Sequence, residues 1–228
     1  MAHFETSNVA KKKILAACVR MFVEKGYKET TMLDIIRESG VSAGTFQNLF
    51  RTKDGALGEL VSFMFGWQFD RAKLLGKERL TPLAIYSYET AIQISLCEQS
   101  ENIREIYLEA YSSARLLEPI HQAMVPVLKG TFSSFHPDWT DADFFELEIG
   151  SAGLMRSYMS YPCNVYFSLS KKISRFLEAA YRLYDVPKDA IKETRELLSG
   201  VDFERIGKET MDVLFKELEA AFDFQFNG

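Results

Sequence analysis

Ser42, Thr45, Gln47 and Asn48 lie within seven positions of one another. All four carry short polar groups, two hydroxyls and two carboxamides. A carboxamide pairs bidentately with the edge of adenine, and a threonine methyl packs on the methyl of thymine. Between them stand Val41, Phe46 and Leu49. On a short helix, these apolar residues form a face that holds the element down while the polar residues look outward. Gly40 precedes the group and supplies the backbone freedom a sharp turn needs. Thr31, Ser42 and Lys53 stand where three helices open. Backbone N–H groups at such starts bind phosphate oxygens, and Lys53 adds a positive charge there. The chemistry on offer is recognition of a DNA duplex.

Other reactive groups are scattered. His3, His121 and His136 are too far apart for a metal site, and no HExxH, GxSxG or P-loop pattern occurs. Neither a metal nor a cofactor is expected. Cys18, Cys97 and Cys163 are widely spaced and odd in number, which points to reduced, packed thiols. Asp141 and Asp143 read as acids favoured at a helix start. Arg156 sits in the apolar stretch GLMRSYMSY. It reads as a buried cation needing a partner: an acid such as Glu109, Glu146 or Glu148, or an acidic ligand.

These residues must be positioned by helices. Ile14, Cys18, Met21 and Phe22 form one apolar stripe that stops at Gly26. Thr31 and Asp34 make a capping-box pattern opening a second helix with Met32, Ile35 and Ile36. Ser42 caps a third helix, and Thr52 a fourth that carries Leu57, Leu60, Val61, Met64 and then Arg71 to Leu75. Further helices are expected at about 82–98, 101–117, 119–135, 141–160, 164–184, 188–199 and 203–224. Their breaks are read from proline and glycine, among them Glu118-Pro119. No strand alternation or repeat appears. The fold class is all-α: an N-terminal three-helix helix-turn-helix domain, residues 1–52, joined by a connecting helix to a larger C-terminal helical bundle, residues 53–228.

The chain's 228 residues are 47% hydrophobic, enough to build a real core. The net charge of −5 is uneven. Residues 1–55 hold nine Lys or Arg against six Asp or Glu, whereas the remainder is acidic. Charge attraction acts over about 8 Å at physiological salt, so a basic end can serve on an acidic body. No signal peptide and no apolar run long enough to cross a membrane are found, and a cytoplasmic location is expected.

Residues 11–57 resemble the N-terminal domain of the TetR family of transcriptional regulators. The matching pieces are KKKILAAC, MFVEKGYKETTMLDII, SGVSAGTF and LFRTKDGAL, in order and with the family's spacing. The resemblance implies DNA contacts at Thr31, Ser42, Thr45, Gln47, Asn48 and Lys53, with Phe46 as core. It also implies a homodimer on a roughly palindromic operator, most simply as a repressor, and a divergent C-terminal domain that binds a small-molecule effector and releases DNA. Two positions depart from the family: it usually has tyrosine at Gln47, and often His or Tyr at Leu49. An atypical operator is therefore expected.

Effector candidates in the body are Phe63, Trp67, Tyr88, Tyr107, Tyr111, Phe145, Met155, Arg156, Tyr158 and Met159. They combine aromatic rings with polar tips and adaptable methionines. The helices at 164–184 and 203–224 are expected to pair with their copies in a partner, or to close the protomer core. Gly66, inside the fourth helix, reads as a hinge or as a site of close packing. Two rival readings remain: a body that is a platform for another protein, and a helical enzyme or carrier.

Overall fold

Short polar residues set where the helices begin. The Thr31 hydroxyl accepts from the Asp34 N–H at 3.1 Å, and the Asp34 carboxylate accepts from the Thr31 N–H at 3.0 Å, a complete capping box. Ser42 caps the next helix through the Thr45 N–H, and Thr81, Ser100 and Asp202 act in the same way further on. The computed structural model describes residues 2–76 and 81–226, with side chains at 7–74 and 81–226. His3 and Leu75 lie outside the described side chains.

Among the described residues the regular structure is helical throughout, apart from one isolated bridge between Asn164 and Phe167. The helices are α1 (Ala2–Glu24), α2 (Met32–Ser39), α3 (Ala43–Leu49), α4 (Lys53–Gly76), α5 (Pro82–Gln99), α6 (Glu101–Ala110), α7 (Ala114–Phe132), α8 (Asp141–Ser160), α9 (Leu169–Leu183), α10 (Lys188–Leu198) and α11 (Phe203–Phe222). α1 packs on α2, α3 and α4 to form the helix-turn-helix unit, and the other helices form the larger body. α5 is the axis of that body, touching α4 and every helix from α6 to α11. It is buried nearly all round: residues 83–97 are buried but for Ile85, the polar Ser87, Glu89, Thr90, Gln93 and Ser95 included.

Three expectations change. The break expected at Pro119 falls instead at Tyr111–Ser113, so the expected 101–117 and 119–135 become Glu101–Ala110 and Ala114–Phe132. Pro119 and Pro126 both lie within α7. They sit two turns apart on its exposed side, where the carbonyls they leave unpaired face water. The helix expected from 164 starts at Leu169, after an irregular segment that exposes Val165 and Tyr166.

The apolar positions of α9 and α11 face the protomer's own core. Ile173, Phe176, Leu177, Ala180, Tyr184, Ile206, Met211, Leu214 and Leu218 are all buried within one chain. The outward faces are polar, with Lys171, Arg175, Arg182, Lys208, Asp212 and Glu217 exposed. Finally, Arg156 is exposed, not buried, and its guanidinium donates to the Ser112 hydroxyl at 2.8 Å. Its neighbours on the same turn, Ser157 and Gly153, also face outward, so the helix rotates this position away from the core.

Candidate nucleic-acid interface and the groove behind it

α3 is only seven residues long and could not persist alone in water. Phe46, fully buried, and Phe50, nearly so, anchor it, and their rings lie 5.9 Å apart. Removing a ring such as Phe46 costs about 3–5 kcal/mol. Gly40 takes the left-handed conformation, φ 64°, that turns α2 into α3. With this backing, Ser42, Gln47 and Asn48 are exposed and Thr45 is half-exposed. The structure thus brings the four short polar residues onto one outward surface. The Ser42 hydroxyl lies 2.9 Å from that of Thr45 and also caps α3 by accepting from the Thr45 N–H. Thr31 is exposed and its cap holds the Asp34 carboxyl down at about 2. The causes are the Thr31 backbone and hydroxyl groups, then the Lys25 ammonium 3.2 Å away.

The family model for the N-terminal domain of bacterial regulatory proteins of the tetR family matches residues 14–60. Over residues 14–60 the chain is similar to the DNA-binding domain of that family. An uncharacterised helix-turn-helix transcriptional regulator of Bacillus subtilis, YerO, is 30% identical over 66 residues. That stretch is 29% of this chain and 23% of YerO, so the likeness spans under a quarter of the relative's length. The crystal structure of a gamma-butyrolactone receptor, an ArpA-like protein, overlays 80% of this chain and 99% of its own. Its identity is 18% and the TM-score 0.37, too loose to establish a common architecture for the body.

Lys53 occupies an unforeseen place in this domain. Its ammonium donates to the carbonyls of Tyr27 at 2.7 Å and Thr30 at 2.8 Å, and sits 3.9 Å from the centroid of the Tyr27 ring. Partial burial lowers its proton affinity. The Tyr27 hydroxyl in turn donates to Asp54 at 2.5 Å. Lys53 therefore ties the start of α4 to the loop before α2.

Much of the N-terminal positive charge is also engaged. Lys11 pairs with Glu59, Arg20 with Glu38, Lys25 with Asp34 and Lys28 with Glu105. Among the described residues, Lys12, Lys13, Arg37 and Arg51 are exposed cations without an acidic partner. Arg51 directly follows α3, at φ 63°. It entered the sequence reading only as charge, because its position beside the recognition surface depends on the turn.

Three contacts join the body to this domain, and none was visible in the sequence. Asn102 donates to the Val23 carbonyl at 2.8 Å. Glu105 accepts from the Lys28 N–H at 3.2 Å. Arg115 donates to the Thr52 hydroxyl at 2.7 Å. They come from the first turns of α6 and α7. At the C-terminus, Arg20 lies 5.6 Å from the Phe224 ring and donates to the Gln225 carbonyl at 3.4 Å, so the segment after α11 also grips the domain.

A groove of about 280 Å³ runs between α4 and α7. One wall is Gly58, Val61, Ser62, Phe65, Gly66 and Phe69, and the other is Leu116, Pro119, Ile120, Ala123, Met124 and Val127. Both walls repeat at three and four residues, one stripe per helix. At one end the helices nearly touch: a Cβ on Gly58 would come 2.9 Å from Leu116. Around Gly66 a Cβ would meet nothing within 4 Å, so close packing does not account for this glycine.

None of the ten effector candidates lines this groove. Tyr107 and Met159 are wholly buried, Tyr88, Tyr111 and Met155 nearly so, and Phe63, Trp67, Phe145 and Tyr158 are half-buried. Tyr107 and Tyr111 lie directly behind the groove, their rings 6.2 and 6.0 Å from that of Phe65. Phe145 packs on His121 and Tyr158 on Phe176, while Tyr88 lies beside Phe203. The groove's own signal was present in the α4 and α7 stripes, but reading Pro119 as a break cut the second one short.

Proposed function

We propose that the protein is a transcriptional repressor that binds a palindromic operator as a homodimer and is released by a small-molecule effector. The observation that carries this reading is α3. A seven-residue helix pinned by Phe46 and Phe50 presents Ser42, Thr45, Gln47 and Asn48 outward within a matched TetR-family domain. Base reading falls to Gln47 and Asn48, and positioning on phosphates to Thr31, Ser42 and Arg51. Lys53 supports the loop and offers its remaining donor to phosphate.

The effector site is the α4–α7 groove. A molecule entering it bears on both helices, and both lead to the DNA-binding domain: α4 begins at Lys53, and α7 holds Thr52 through Arg115. An occupant that fits one spacing of α4 and α7 better than another shifts the domain's orientation by that difference in affinity. This role is regulatory and not catalytic.

Selection of bound sequences from a random DNA pool tests the reading. A palindromic motif is expected, with half-sites about one helical turn apart and affinity that falls steeply with salt. Binding with no sequence preference would overturn it.

A further inference from the structure

Behind the apolar groove lies a buried polar cluster short of donors. Glu89 on α5 is 5% exposed, and among the described residues its carboxyl has no hydrogen-bond partner. Glu148 on α8 is equally buried, but it accepts from the Ser151 hydroxyl at 2.7 Å and lies 3.5 Å from His121 Nδ1. Gln68 on α4 spends its amide N–H on the Tyr107 hydroxyl, leaving its buried carbonyl oxygen unpaired. Gln93 spends its own on the Tyr111 hydroxyl at 3.2 Å. What remains unmet is the Gln68 oxygen, the Glu89 carboxyl and His121 Nδ1, which accepts or donates according to its tautomer. An unpaired buried polar group is costly, and a buried ionised carboxyl more so.

The cluster backs onto the groove. Phe65 lines the groove and packs on both Tyr107 and Tyr111. Ile120 lines it too, and the next residue is His121. A ligand in the groove is thus one aromatic ring away from acceptors that lack partners. An anion is disfavoured by two carboxyls, and a purely apolar molecule leaves the acceptors unmet. We infer that the groove takes a lipophilic cation, an apolar body bearing an ammonium group that passes Phe65 to bind Glu89. This rests on the effector reading above and names the effector's chemical class.

Burial, followed by the nearby Glu148 charge, pushes the Glu89 carboxyl up to about 8. At pH 7 it holds its proton. The groups around it are Glu148 on α8, Tyr107 and Tyr111 at α6, and Tyr86 on its own helix, with His121 on α7 beyond Glu148. An arriving ammonium pairs with the ionised carboxylate, so binding sends the Glu89 proton to solvent. Affinity should then rise about tenfold per pH unit from pH 6 toward 8.

Three matched probes test this: 4-phenylbutylamine, 4-phenylbutanol and 4-phenylbutyrate, titrated calorimetrically into the full chain at pH 7. The amine is expected to bind at least tenfold more tightly than the alcohol, with the acid weakest. Amine binding should release close to one proton, read as a heat that differs between phosphate and Tris buffers. Glu89→Gln should remove the preference and the proton release while keeping alcohol binding. Equal binding of amine and alcohol, tighter binding of the acid, no binding of any probe, or unchanged proton release in Glu89→Gln would each overturn the inference. If Glu89→Gln does not fold, wild-type proton release alone decides. Operator anisotropy in the same samples separates the two claims. An amine that binds through Glu89 without displacing DNA would sink the effector reading and leave the site. DNA release by the alcohol as readily as by the amine would do the reverse.

Discussion

Gln47 stands exposed on α3 where the TetR family usually has tyrosine. A carboxamide there exchanges a ring and hydroxyl for a bidentate donor–acceptor pair. Losing such a pair costs about 1–3 kcal/mol. Gln47→Ala should therefore weaken operator binding about 5- to 150-fold for each half-site and relax preference at one base pair in each. Competition anisotropy with substituted operators measures both, and an unchanged preference would show that Gln47 reads no base. Lys53 makes the opposite case. Its ammonium is held by two carbonyls, so Lys53→Met should lower the stability of the free protein by about 2 kcal/mol. A lysine serving phosphate alone would leave the melting temperature unchanged and reduce the salt slope by about one. From sequence, Lys53 looked like a surface charge, because its partners are backbone atoms 23 and 26 positions away.

α3 depends on how closely α4 can begin behind it. A Cβ on Gly55 would fall 2.2 Å from the Phe50 carbonyl oxygen, which is backbone and cannot step aside. Gly55→Ala should thus push α3 and α4 apart, lower the melting temperature by several degrees and weaken DNA binding more than tenfold. Gly66, eleven residues further along the same helix, has open space. Gly66→Ala should raise stability by about 1 kcal/mol, the ordinary helix-propensity gain, while narrowing the groove and weakening 4-phenylbutanol. A loss of stability at Gly66, seen by thermal melting, would show that its backbone freedom is needed. The caps at Thr31 and Ser42 were legible because a cap is chosen by residues three apart. The α6–α7 boundary was not. α7 runs through both Pro119 and Pro126, which lie on its exposed side, and which side of α7 faces water is decided by α8 and α5.

The molecule is built around α5, and its buried polar residues couple folding to pH. Glu89 has its carboxyl raised to about 8, against the usual carboxylate range near 4 to 5 in the unfolded chain. Folding therefore takes up a proton between those values. The contribution is fully present at low pH and is lost as pH rises, at about 1.4 kcal/mol per pH unit from about pH 5 to 8. The difference in unfolding free energy between wild type and Glu89→Gln, measured across that window, should show this slope and flatten above it. A pH-independent difference would mean that Glu89 is already ionised in the folded protein. No helix among the described residues is long and apolar enough to cross a membrane.

Local chemistry determined the DNA-binding domain. Its apolar stripe, its caps, its turn glycine and its outward polar residues are all encoded within a few positions of one another. Those signals survive without knowledge of the rest of the chain, and the family resemblance rests on the same span. Tertiary structure decided the rest. It fastened Lys53 inward, turned Arg156 out to water, placed the apolar positions of α9 and α11 in the protomer's own core, and set Glu89 without a partner behind Phe65. Each of these depends on which face of a helix meets another helix distant in sequence. Periodicity gives the stripe but not its neighbour, and a charge in the sequence carries no record of whether its partner will be water, a carbonyl or nothing.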